Sequence, residues 1–221
     1  MEQVQFNFSM FRMMSRIPDL AVRIHTVMNK TAQTDYPVLS EIQRRWSPYA
    51  FDPRAVEEEK LQRIFEAARW AASSYNEQPW RYIVAQASQP EQFRKLASVL
   101  VPQNNWAENV PVLAMSVAKM SFTKSGMENR VALHDVGAAS AQLSLQAVAE
   151  GLMVHQMAGF DTQRAKEIYG IQAGYEPVAM LAIGYEGNHD EIPEALQERE
   201  NAPRGRNPHS AFVFFGTWPI S

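Results

Sequence analysis

An α+β fold is what this sequence predicts, and three observations lead there. Two long apolar runs, Val110 to Lys119 and Pro177 to Tyr185, read as buried strands. Two other stretches, 57–72 and 128–150, carry apolar residues at helical spacing. Strands and helices follow one another without strict alternation, which argues against a doubly wound parallel sheet. No Gly-x-Gly-x-x-Gly follows a strand, so a Rossmann nucleotide site has no support.

In chain order, residues 1–40 read as an added arm. Leu20, Ile24, Val27 and Met28 share one helical face, and Pro18 suits a first turn. That arm either packs on its own or a partner subunit, or lies on a membrane surface. Glu57, Glu58 and Glu59 place negative charge in a first helical turn, where the macrodipole favours it. Leu61, Ile64, Phe65, Ala68 and Ala72 form the apolar stripe of that helix. Residues 81–87 read as a strand, and Ser88 with Glu91 as a capping box for a helix ending near Leu100. Val131, Val136, Ser140, Leu143, Ala147 and Val148 lie near one face of the longest helix, which Gly151 stops. A short strand, Leu152 to Met157, precedes a helix capped by Asp161 and ended by Gly170. A charged stretch with Pro193 and a short helix follows the Pro177–Tyr185 strand, and Phe212 to Phe215 reads as a final strand.

The bulk properties narrow the function. A hydrophobic fraction of 46% over 221 residues suits one compact domain or one subunit of an intertwined oligomer. A net charge of −3 gives no footprint for nucleic acid, so basic residues act locally. The absence of cysteine removes disulfides, thiolate nucleophiles and thiolate metal sites. No apolar run reaches membrane-span length, and Arg12, Arg16, Asp19 and Arg23 interrupt any signal-peptide layout. A cytoplasmic location is therefore expected. His134 and Asp135 are neighbours on a helix and point to different faces, which makes them a poor metal or catalytic pair.

Two groups of polar residues remain. Arg44, Arg45, Arg204 and Arg206 sit in loops at opposite ends of the chain. Guanidinium forks match phosphate oxygens, although solvated loop arginines or ion pairs with glutamates would look the same. Ser73, Ser74, Asn76 and Gln78 form the densest patch of neutral donors and acceptors. They suit the carbonyl and N–H edge of a flat heterocycle, and equally a helix end followed by a turn.

The stretch Arg44-Arg45-Trp46-Ser47-Pro48-Tyr49-Ala50-Phe51-Asp52, a helix, and Ser73-Ser74-Tyr75-Asn76-Glu77-Gln78-Pro79-Trp80 together resemble the FMN-dependent nitroreductase family. The resemblance extends over roughly residues 41–218. It implies a central, mostly antiparallel sheet flanked by helices, an intertwined homodimer, FMN as cofactor and NADH or NADPH as co-substrate. It sets Arg45 and Ser47 against the flavin phosphate and ribityl chain, with Arg44, Trp46 and Tyr49 beside them. It brings Ser73, Ser74, Asn76 and Gln78 from the other subunit. Gln156, Met157, Ala158 and Gly159 would pass the flavin ring and offer backbone N–H to its N5 edge, and Arg204 and Arg206 would clamp the phosphate. The flavin, rather than a side chain, would carry a hydride to a small-molecule electron acceptor such as a nitroaromatic or quinone.

Two departures stand out. Many relatives have a basic residue where Tyr49 stands, and Lys-Pro-Leu often follows where this chain has Asn207-Pro208-His209. Trp106, Phe122 and Met127 could wall an aromatic acceptor or simply pack. The cofactor blocks leave open flavin, enoate or pteridine reduction, dehalogenation, flavin destruction, and a flavin-binding dimer used for storage, sensing or partner contact.

Overall fold

A computed structural model of the chain describes residues 28–218. Most of the arm helix expected around Leu20 to Met28 lies outside the described residues.

The helices are α1 (Ser40–Arg44), α2 (Glu58–Arg69), α3 (Pro90–Ala97), α4 (Ala132–Ala149), α5 (Thr162–Tyr169) and α6 (Glu194–Asn201). The strands are β1 (Trp80–Gln86), β2 (Val112–Lys119), β3 (Met153–Met157) and β4 (Tyr175–Gly184). They form one four-stranded sheet in the order β1-β2-β4-β3, with every pair antiparallel. The α+β expectation holds.

The two central strands explain why their sequences read as unbroken apolar runs. Val112, Ala114 and Ala118 of β2 enter one core with Leu181 and Ile183 of β4. Leu113, Met115 and Val117 enter the opposite core with Met180 and Ala182. Both faces are therefore covered, and alternation has no polar side to display. Helices α2 and α4 pack together over the first face through Leu61, Ile64, Ala68, Val136, Leu143 and Ala147. Phe93 and Leu96 of α3, Ala107 and Ala165 of α5 fill the second.

Pro177 sits inside a central strand, where a missing N–H would break the ladder. The β2–β4 register shifts there: Val117 faces Pro177 and Ser116 faces Ala179, so Val178 is the extra residue of a bulge.

Caps follow the local chemistry where nothing competes. The Asp161 carboxylate accepts from the Arg164 N–H at 2.8 Å, and Gly170 ends α5 at φ +61°. Three expectations fail. The capping box does not form, because Pro90 takes the first helical position and Gln89, with no side-chain bond, becomes the cap of α3. Helix α2 stops at Arg69, so Ala71 is buried and Ala72 is exposed. Phe212 to Phe215 is not a strand: a 3-10 turn at His209–Ala211 precedes it, and Phe215 is 94% exposed. No sheet edge within the described residues takes that segment.

Candidate functional site

The first site element is built by opposite ends of the chain. Residue Arg45 ends α1, and Arg204 and Arg206 lie in the loop after α6. All three line one open cavity of about 790 Å³, with Ala32 to Tyr36, Asp35 among them, and Val38 on its wall. Burial first, and then the Arg206 charge, lower the Arg45 pKa. Burial, then Arg45 and Arg206, lower that of Arg204. No carboxylate lies within ion-pair distance of any of the three among the described residues. Asp35 also lines the cavity but is not ion-paired to any of them, so three mutually repelling guanidinium groups leave unpaired positive charge there, and guanidinium forks match phosphate oxygens.

The three arginines have different duties. The Arg204 guanidinium donates to the backbone carbonyls of Lys30, Gln43 (2.8 Å) and Arg45 (2.9 Å). It thereby fixes the chain around Arg45. Among the described residues Arg206 donates only to the adjacent Gly205 carbonyl, at 2.6 Å, and its fork is otherwise available. Arg45 reaches the Ser47 hydroxyl at 3.4 Å.

A second clip acts four residues earlier in the tail. The Glu200 carboxylate, 2% exposed, accepts from the N–H groups of Tyr49 (2.5 Å) and Ala50 (2.9 Å), and its other oxygen meets His189 Nδ1 at 2.8 Å. Glu200 and Arg204 together bolt the tail to the 43–50 segment, so two stretches far apart in sequence form the walls of one rigid cavity. Sequence reading missed Glu200, and nothing local marks it.

Other members of the first block are placed elsewhere. Arg44 points to solvent and pairs with Glu41 at 3.1 Å. Trp46 is buried, with the Lys30 ammonium 5.8 Å from its ring and its side chain hydrogen-bonded to Glu186. The Tyr49 ring packs edge-on against Trp106 at 5.0 Å and His155 at 4.9 Å. Burial is the main reason the His155 pKa is lowered, and its Nδ1 lies 2.8 Å from the Pro48 carbonyl.

That contact joins the first block to the end of β3. Gln156 turns its amide toward α4, donating to Ser144 Oγ at 3.1 Å. Met157 is buried, while Ala158 is exposed. Asn104 donates to the Gly159 carbonyl at 2.8 Å. A Cβ on Gly159 would stand 2.7 Å from that same Asn104 nitrogen, so any larger residue would displace the Asn104 side chain. Beyond the sheet ladder, neither the Ala158 nor the Gly159 N–H has an acceptor among the described residues.

The Ser/Asn turn is a separate element. None of Ser73, Ser74, Asn76 or Gln78 lines the arginine cavity. Tyr75, Asn76 and Gln78 take φ of +53°, +54° and +51°, a rare conformation for residues with a Cβ. Such strain persists only when neighbours impose it. The Ser74 N–H donates to Asp135 Oδ2 at 3.0 Å, and the Gln78 N–H to Ser73 Oγ at 3.0 Å. Asp135 is buried and His134 exposed, yet contrary to the expectation of separate faces His134 Nδ1 lies 3.3 Å from Asp135 Oδ1, while the other carboxylate oxygen serves the turn. The Ser73 hydroxyl is used within the turn, and the Asn76 side chain is left exposed by a fixed backbone.

An α+β chain with an antiparallel sheet, a guanidinium cluster and a strained Ser/Asn turn defines a class, and comparison with known proteins names it. The Nitroreductase family profile matches residues 42–115 and 88–185, and the chain belongs to that family. A solved oxidoreductase containing FMN is 31% identical, with a TM-score of 0.81, over 88% of this chain and 99% of that one. An uncharacterized 15.4 kDa protein of Mycolicibacterium smegmatis is 36% identical over 131 residues, 58% of this chain and 85% of its own length. The YdgI protein of Bacillus subtilis (strain 168), provisionally named an NAD(P)H nitroreductase, is 26% identical over 172 residues, 61% of this chain and 81% of its own. No helix among the described residues is long and apolar enough to cross a membrane.

Proposed function

We propose that the protein is an FMN-dependent NAD(P)H oxidoreductase that reduces nitroaromatics, quinones or similar acceptors, one two-electron turn at a time. The observation that carries this is the cluster of Arg45, Arg204 and Arg206 on one cavity wall, none of them ion-paired to a carboxylate among the described residues. When bound, FMN supplies the redox chemistry: a hydride arrives from NADH or NADPH and leaves to the acceptor in a second half-reaction in the same pocket.

The side chains have binding and positioning duties. Arg45 and Arg206 hold the phosphate, with Arg204 keeping the backbone around Arg45 in place. Ser47 and the Ser73–Gln78 patch orient the remaining polar edge. The Ala158 and Gly159 N–H groups supply donors where negative charge develops. Residues 41–221 make up the flavin-binding unit, and residues 1–40 are its arm.

The working unit is a two-fold homodimer, in which the arginines of one copy and the Ser/Asn turn of the other complete each site. Two observations support it. The turn is outside the arginine cavity of its own chain. Large apolar side chains stand exposed at Tyr75 (93%), Trp70 (72%), Phe215 (94%) and Trp218 (82%), where a partner copy would cover them. A cytoplasmic location, with NADH and NADPH at hand, suits the cysteine-free sequence.

The test is spectroscopic. The purified protein is expected to show bound-flavin absorbance that bleaches on anaerobic mixing with NADH or NADPH and returns on adding a quinone. A flavin that stays oxidised would make it a binding protein, and a chain that takes up no FMN would reject the reading.

A further inference from the structure

The strained turn is joined to a second segment by one carboxylate. Glu77 lies between Asn76 and Gln78, yet its side chain turns inward and is 8% exposed. It accepts from Lys119 Nζ at 2.9 Å, from the Thr123 N–H at 2.9 and 3.0 Å, and from Thr123 Oγ1 at 2.5 Å. Lys119 also bonds the Thr123 hydroxyl, which closes a three-membered network. Lys119 ends β2, and Thr123 begins the loop that follows.

That loop is a hairpin in its own right. The Phe122 N–H donates to the Met127 carbonyl at 2.9 Å, and Ser121 pairs with Glu128. Its Phe122 ring meets the Tyr75 ring edge-on at 5.7 Å. The turn and the hairpin thus touch twice, through the Glu77 network and through an aromatic pair. The turn's other side is held by Asp135. Two carboxylates from different elements fix a backbone whose own conformational preferences oppose it.

We propose that Glu77 is a positioning residue that sets the flavin-facing Ser/Asn turn and the 121–128 hairpin, on the acceptor side, in one fixed relation. The inference rests on the flavin reading above. The mechanism is mechanical: the network holds Asn76 and Gln78 at positive φ, and the same contact fixes the hairpin whose Phe122 packs on Tyr75. The Thr123 hydroxyl, then Lys119 and the Thr123 N–H, hold the Glu77 carboxyl down to about 2, so the acceptor stays ionised throughout the working range. Nothing in the network touches the arginine cavity, so phosphate binding and turn geometry vary independently.

The experiment uses the full chain, as E77Q and the milder T123V, with E66Q as control. Glu66 is also held at about 2, by Arg69 and Trp70, but on the exposed face of α2. For each protein FMN Kd is measured by fluorescence quenching, and the KM of a quinone acceptor is set against the KM of NADH or NADPH. The expected result is an FMN Kd raised about tenfold in E77Q and about threefold in T123V, as charge-assisted contacts are lost. Acceptor KM rises with it, and E66Q matches wild type. A merely structural role would lower Tm and leave Kd and the KM pattern unchanged. If wild type binds FMN and both variants keep Kd within about twofold, the inference is overturned alone. A wild-type chain that binds no FMN overturns the functional reading and this inference with it.

Discussion

Replacing Arg206 by alanine separates phosphate recognition from folding. Its guanidinium lines the anion cavity, and among the described residues it donates only to the neighbouring Gly205 carbonyl. Stability should therefore change by no more than about 0.5 kcal/mol, as for other exposed positions. Loss of one like charge beside Arg45 and Arg204 acts in the favourable direction, since those groups repel one another. Binding should move the other way. A charge-assisted bond to phosphate contributes about 1.5–3 kcal/mol when shielded. Arg206 is exposed, so screening reduces this to about 1–2 kcal/mol, or roughly 5- to 30-fold in Kd. The assay is titration of apoprotein with FMN and, in parallel, with riboflavin, which lacks the phosphate. R206A should weaken FMN alone and bring the two affinities together. An equal loss for both flavins, or none for FMN, would refute the anion-site reasoning.

Other expectations follow from the same contacts. Arg204→Ala removes three backbone carbonyl contacts, so it should lower both stability, by about 1–3 kcal/mol, and FMN affinity; with R206A it should release the flavin. Glu77 is held below its ordinary 4.5 to about 2, so its contribution to stability is complete above the upper value and is lost as pH falls toward the lower. E77Q should flatten that part of an acid-unfolding curve followed by circular dichroism. Leu143, fully buried between α4 and the sheet, should cost about 2–5 kcal/mol on truncation to alanine in a urea titration.

Some of this architecture was legible because its cause is local. β2 and β4 are buried on both faces, and only apolar runs survive there. Asp161 and Gly170 cap α5 by chemistry carried within a few residues. The arginines and the Ser/Asn turn were visible as residue types at a family spacing. Their supports were not. Glu200 lies 151 residues from Tyr49, and Asp135 lies 61 from Ser74, and no local pattern encodes such pairings. The packing of the Tyr49 ring on Trp106 and His155 likewise joins residues 57 and 106 positions apart. Phe212 to Phe215 has strand-like composition, but a strand requires a partner edge, and composition does not supply one. At α3 a proline outcompeted a serine two residues before it for the helix start.

The most direct test of a site shared between two chains is complementation. One variant, R45A/R206A, lacks the phosphate grip, and a second, S74A/N76A, lacks the turn. Each homodimer should bind FMN poorly. Unfolded together in equal amounts and refolded, half of the dimers would be hybrids, each with one intact and one doubly defective site. With a shared site, roughly a quarter of all sites should recover FMN binding. Recovery no greater than the separate variants show would mean that each chain builds its site alone, and the shared-site claim would fail.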